Sequence, residues 1–393
     1  MELFHLSEYD ARLAKTKQAM ENEGLDVLLV TDPANMNYLS GYDGWSFYVS
    51  QMLIVAHDEA EPIWVGRKMD APGANWTTWL SQSSIRAYPD DYVQSDVKHP
   101  MDFAADVLRS MGKFHCRIGV EMDAYYFTAR SLQRLTAGLP DAVFHDATLL
   151  VNRIRIIKSN QEIAYMQRAA RIAESAMKTA VESIAEGVRE CDVAANIFSA
   201  QIRGIEGYGG DYPAIVPLLP AGERSGSCHL TWTDKRYQPG DTVIVELAGC
   251  YKRYHSPLAR TIQVGDPPVH IRNLTDVVIE GVETALDAVK PGVACEEVET
   301  AWRRVIERAG YKKESRLGYS VGLNYPPDWG EHTASLRPGD RTELVPNMTF
   351  HMIAGMWMDG YGVEMSETFR VTQTGCETLA NFPRELAVKS YAL

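Results

Sequence analysis

The chain has no uninterrupted apolar run long enough to cross a bilayer, which argues against a helical membrane protein. Cysteine is sparse: Cys116, Cys191, Cys228, Cys250, Cys295 and Cys376 are scattered, and no pair has CxxC spacing. Neither a zinc knuckle nor a redox dithiol is expected, and reduced thiols fit a cytosolic protein. Positive charge is also short. Lys and Arg number 39 against 52 Asp and Glu, a formal net charge of −13 that disfavours nucleic acid as a partner. The start, MELFHLSEYDARLAK, lacks a basic stretch followed by an apolar one, so we expect no secretory leader and a cytoplasmic location. No glycine pattern of a phosphate loop occurs. What is present, 45% hydrophobic and 23% charged residues, is ordinary for a globular protein. At 393 residues, more than one core is expected.

Helix and strand signals alternate over residues 1–153. Ser7 to Asp10 reads as a helix start, and LDVLLVT, MLIVAH, PIWVGR, RIGVEM and AVFHDA read as strands, with PMDFAADVLRSMG helical between them. This is an α/β domain. A change follows near Ile154. Ser159 can cap a helix whose apolar residues recur for about seven turns. Strands are then expected at YPAIVPLL, DTVIVELAG and LARTIQV, helices over 270–289 and 296–309, and two antiparallel strands at MTFHMIAGMW and GVEMSETFRVT. Separated blocks of strands and helices over 154–393 predict an α+β domain with one curved antiparallel sheet.

Polar residues in apolar strands mark the candidate site. Glu246 interrupts TVIVELAG, and a carboxylate among Val and Leu is costly without a partner. A cation, a metal or a catalytic role with a raised pKa accounts for it, and so does the wet face of an amphipathic strand. Glu364 and Glu367 are three apart in GVEMSETF, so at most one faces the site. His351 interrupts MTFHMIAG. His255 follows Tyr254 in what reads as a hairpin turn. Asp328 and Glu331 flank Trp329 behind Pro326-Pro327. His229, after a Gly- and Ser-rich loop, reads equally as a general acid or base and as an exposed loop residue. In the first domain, GYDGWSFYVSQ presents Trp45, Phe47 and Tyr48, and YPDDYVQS adds Tyr88 and Tyr92. Such aromatics stack on a flat cation, make a subunit contact or pack a core.

IKSNQEIAYMQRAARIAE, PGDTVIVELAGCYKRYHSPLARTI, KPGVACEEVE and GYSVGL, in that order, resemble the creatinase/prolidase/aminopeptidase-P/methionine-aminopeptidase group. The resemblance implies the two-domain pita-bread architecture and a homodimer in which one subunit's small domain reaches the other's site. It also implies where that group's metallopeptidases hold two Asp, one His and two Glu ligands. Here those positions fall on Glu246, Pro257, Tyr319, Ile353 and Ser366. Such a set cannot rebuild a carboxylate-bridged metal pair, so no metal and no cofactor is expected. Longer strings (GYDGWSFYVSQ, YPDDYVQS, CHLTW, NYPPDWGE, SLRPGDRTEL) resemble the ectoine hydrolases within the group.

That resemblance implies metal-free opening of the cyclic amidine of ectoine, with hydroxyectoine a further candidate substrate. A deacetylase acting on the product is implied by the order of reactions. Glu246 is then expected as nucleophile or base, and His229 as proton shuttle to the leaving nitrogen. Glu364 holds the amidinium with Glu246. Trp45, Phe47 and Tyr48 stack on it, and His255, Tyr319, Asp328, Glu331 and His351 bind or orient the substrate. Two alternatives differ in class. One is a metal-free amidinohydrolase on creatine or another guanidino acid; the other is a non-catalytic binding protein of the same fold.

Overall fold

A computed structural model describes residues 3–389. They form two compact units, one ending at Arg155 and the other beginning at Ile156. The first contains α1 (Leu6–Asn22), β1 (Val27–Val30), α2 (Pro33–Ser40), β2 (Met52–Ala56), β3 (Ile63–Arg67), α3 (Ala71–Thr77), β4 (Ile85–Tyr88), α4 (Pro100–Ser110), β5 (Arg117–Val120), α5 (Ala129–Gly138), β6 (Val143–Asp146) and α6 (Leu150–Arg155). The strand order is β4-β3-β2-β1-β5-β6. The antiparallel turns β1–β2–β3 sit between parallel pairs. Val27, Leu29, Ile54 and Ile118 form its core with Ala104, Leu108 and Leu135 of α4 and α5. Helix α6 spans the change expected near Ile154. Tyr88 is no ligand-stacking residue: it lies in β4, buried, and its hydroxyl donates to Ser50 O at 2.6 Å.

The second unit contains α7 (Asn160–Ser183), α8 (Glu190–Arg203), β7 (Thr242–Tyr251), β8 (Tyr254–Val264), α9 (Val269–Ala288), α10 (Cys295–Arg308), β9 (Gly318–Val321), β10 (Gly330–Leu336), β11 (Thr349–Met358), β12 (Tyr361–Val371), β13 (Cys376–Thr378) and β14 (Ala387–Lys389). Ser159 caps α7 in a reciprocal box: Glu162 N donates to Ser159 Oγ (3.2 Å) and Ser159 N to Glu162 Oε2 (2.8 Å). The sheet is built in two parts, β10-β9-β11-β12-β13 and β14-β8-β7. Strands β8 and β12 join them through side chains. Ala259 N donates to Ser366 Oγ (2.7 Å), Glu364 N to Thr261 Oγ1 (2.8 Å), and Thr368 Oγ1 to Pro257 O (2.7 Å).

Period-2 alternation sorts the two faces. Phe350, Met352, Met365 and Phe369 pack backward onto Val278, Val282 and Trp302 of α9 and α10. Helix α7 backs β7 so closely that a Cβ on Gly249 would lie 1.9 Å from Ala169 O. Gly249→Ala must push helix and sheet apart. We expect it to lower stability by about 1–3 kcal/mol or more in urea unfolding.

Two expectations change here. YPAIVPLL makes no strand, only a bridge of Leu218 to Glu246, because Pro213 and Pro217 have no N–H for a ladder; a second bridge, Ala221 to Val243, follows it just past Pro220. Tyr254 and His255 lie in β8 itself. The turn is Lys252-Arg253, both with positive φ (52° and 66°), as a two-residue hairpin loop requires.

Candidate active site

The front of the sheet carries the expected glutamates. Glu246 on β7 lies opposite Ala259 on β8, and Ala259 N is bonded to Ser366 on β12. Two residues along, Ile244 faces Thr261, which is bonded to Glu364. Glu246 and Glu364 therefore stand on one face, separated by the single strand β8. Glu367 points to the back and pairs with Arg260 (2.7 Å) and Arg384 (2.9 Å).

Both front carboxyls are buried, at 5% and 2% exposure, and Glu364 Oε1 has no hydrogen-bond partner among the described residues. Burial pushes Glu246 well above the usual carboxylate range, and the charges of Glu364 and Asp328 push it further. Burial raises Glu364 to about 7, with the Lys313 ammonium opposing the rise. Asp328 is the exception. Burial raises it, but hydrogen bonds from His332 (2.7 Å) and Gly330 N (2.9 Å) bring it below its ordinary value. The site thus offers an ionised carboxylate beside two that hold protons readily.

Beside them runs a chain of hydrogen bonds. Trp329 Nε1 donates to the Tyr319 hydroxyl (2.8 Å), which bonds to His351 Nδ1 (3.1 Å). His351 Nε2 bonds to Ser366 Oγ (2.8 Å). Burial holds His351 near 3, so its ring is neutral and passes one hydrogen bond along. Burial and the Glu246 charge both raise the Tyr319 hydroxyl, which stays protonated.

Other expected residues fall elsewhere. His255 does not bind substrate: both ring nitrogens are occupied, Nε2 accepting from Ala214 N (2.9 Å) and Nδ1 donating to Gly322 O (3.4 Å), and burial keeps it neutral. Glu331 is the buried counter-ion of Lys158 (2.7 Å), so its charge is already matched. Trp45, Phe47 and Tyr48 belong to the other unit. Trp45 and Tyr48 are exposed there, whereas Phe47 is buried between Trp45 and Tyr126 and serves the core. His229 is exposed, with φ at 61°, next to Cys228. Burial raises the Cys228 thiol, and Glu364 and Glu246 add to the rise, which puts this loop at the edge of the cluster.

Lys313 is the residue the sequence reading missed. It stands in YKKESR, a run that reads as a solvated surface, yet it is 7% exposed. Its Nζ donates to Gly355 O (2.7 Å) and lies 4.6 Å from the centre of the Trp357 ring. The signal was the Leu317 and Gly318 that follow directly: the run leads into a buried strand.

The five ligand positions implied by the resemblance are now all placed, and they do not suit a metal. Tyr319 and Ser366 are joined through His351, Ile353 is apolar, and Pro257 offers only a carbonyl that already accepts from Thr368. Among the described residues no group of three or more His, Cys, Asp or Glu is placed to hold an ion.

The comparisons agree with this architecture. The family model described as metallopeptidase family M24 matches residues 164–373, and the creatinase/prolidase N-terminal domain matches residues 12–157. An ectoine hydrolase of Halomonas elongata is 44% identical over 98% of both chains. An uncharacterised hydrolase/peptidase of Sinorhizobium fredii is 48% identical over 99% of this chain and 100% of its own. The crystal structure of a prolidase from Thermococcus sibiricus superposes with a TM-score of 0.84 at 21% identity, covering 97% of this chain and 99% of that one, and supports the fold alone. With its creatinase-type first domain and pita-bread second domain, the chain is an enzyme of metallopeptidase family M24.

Proposed function

We propose that this enzyme hydrolyses the cyclic amidine of ectoine to N-acetyl-2,4-diaminobutyrate without a metal ion. The observation that carries the reading is the pair Glu246 and Glu364: two buried carboxyls on one face, one with an oxygen that no described residue satisfies. A buried carboxyl pair of this kind calls for a ligand that brings both positive charge and N–H donors, and an amidinium brings both. The likeness to an ectoine hydrolase over nearly the whole of both chains supports ectoine as that ligand.

The chemistry follows from the placement. Amidinium N–H groups bond to Glu364 and Glu246, and their positive charge lowers the proton affinity of Glu246. The Glu246 carboxylate then attacks the amidine carbon, or takes a proton from a water that attacks it. One ring C–N bond breaks. The leaving nitrogen gains a proton, for which His229 on the neighbouring loop is our candidate; where Glu246 has formed the adduct, a water then cleaves its bond to that carbon and frees the carboxylate, and by either route the water oxygen ends in the new amide. Tyr319, His351 and Asp328 orient the ring. The enzyme acts as a cytoplasmic homodimer, and a deacetylase consumes its amide product.

The test is chelator-treated protein with ectoine, followed by proton NMR, with creatine in parallel. We expect the acetyl methyl signal of the product to appear and creatine to persist. Activity on creatine alone would move the assignment to an amidinohydrolase. Activity that returns only with manganese or cobalt would overturn the metal-free reading.

A further inference from the structure

Lys313 is a buried ammonium without an ion pair among the described residues. It is carried on the segment between α10 and β9. One of its N–H groups is used by Gly355 O, and the Trp357 ring covers a side. Gly355 lies directly opposite Glu364 in the β11–β12 register, so the ammonium and the unsatisfied carboxyl are neighbours. No hydrogen bond or ion pair within 4.0 Å joins them, however. An ammonium and a carboxyl are thus buried close together without bonding to each other, and one carboxyl oxygen has no partner among the described residues. Burial lowers Lys313 to about 8, and Glu364 opposes the drop, so the ammonium stays mostly charged at neutral pH.

We propose that Lys313 is a specificity-determining residue that binds the carboxylate of the substrate. Resting on the amidine reading above, this matches two adjacent charges in the protein to two adjacent charges in the substrate. In ectoine the carboxylate is borne by a ring carbon bonded to an amidine nitrogen. Glu364 accepts the N–H of that nitrogen, and Lys313 donates to the carboxylate beside it. The pairing also sets which way round the ring lies. Arg316, another cation near the cluster, is exposed and stacks on Tyr319 at 4.4 Å, next to the ionised Asp328, so it is less suited to the task.

The experiment compares kcat/KM for ectoine with that for the same methyl-substituted ring lacking its carboxyl group. It uses the wild type, Lys313→Met and Lys313→Gln, with thermal unfolding to confirm folding. The ratio is the readout, because a general loss of folded enzyme does not enter it. We expect the wild type to prefer ectoine, and both variants to lose roughly 10- to 100-fold of that preference, mainly through KM. A ratio unchanged in both variants, or a wild type that opens both rings equally well, overturns the role of Lys313 and leaves the amidine reading intact. A wild type that opens neither ring overturns that reading, and the role of Lys313 falls with it.

Discussion

Glu246→Gln is expected to lower ring opening by at least about 100-fold while leaving the fold intact. If Glu246 is a general base, kcat should fall by roughly 10²–10⁴-fold, since water retains some reactivity without it. If it forms the covalent adduct, no turnover should remain, because an amide cannot take its place. Rapid-quench detection of an adduct in the wild type separates the two cases. Full activity in the variant would remove Glu246 from the mechanism.

The same variant makes a thermodynamic test. Glu246 and Glu364 have folded-state pKa values above their ordinary value of 4.5, Glu364 at about 7. Groups raised on folding add stability that is full below the unfolded pKa and lost as pH rises through the folded one. The wild type should therefore lose stability from about pH 4.5 to beyond 7 through these two groups. The amide introduced by Glu246→Gln has no such proton to lose. Melting temperatures of variant and wild type should be close at about pH 4.5, with the variant the more stable at about pH 8. The opposite sign would show that Glu246 is ionised in the fold.

Arg260→Met is expected to be the most damaging structural change, costing about 3–5 kcal/mol. All five guanidinium N–H groups are used: Nε to Pro383 O, Nη1 to Ala259 O and Ser366 O, Nη2 to Glu367 Oε1 and Phe382 O, at 2.6–2.8 Å. Removing them leaves Glu367 with Arg384 alone and takes a donor from four carbonyls. Arg260→Lys should recover little, because three tetrahedral donors cannot copy a planar fork. Urea unfolding measures both. A loss under about 1 kcal/mol in either variant would show that the neighbouring Arg384 suffices for Glu367.

The readable parts of the sequence were those where local chemistry and tertiary role agree. Ser159 and Glu162 announce the start of α7, and Glu246 and His351 stand out because apolar strands surround them. Other parts depend on partners distant in the chain. β4 is four residues held by a parallel neighbour, with no alternation of its own to report. YPAIVPLL has strand composition but lacks the donors at its prolines. Lys313 looks solvated until β11 and the Trp357 ring close over it. His255 and Glu331 are polar residues in apolar surroundings, as Glu246 is, yet Ala214, Gly322 and Lys158 answer them from elsewhere. Composition reports that a buried polar group needs a partner; only the fold tells whether the protein or the substrate supplies it.

The bonded run of Tyr319, His351 and Ser366 also limits which substitutions this face tolerates. A carboxylate-bridged metal pair would need new side chains at Pro257, Tyr319, Ile353 and Ser366. Taken singly, a carboxylate at Ile353 or Ser366 adds another buried negative charge beside Glu246 and Glu364. A histidine at Tyr319 removes the hydroxyl that joins Trp329 to His351. No single substitution on that path restores what it disturbs. On the proposed reading the sheet face is held to its present chemistry one substitution at a time, since each step toward a metal site breaks a bond or adds a charge that the face does not answer.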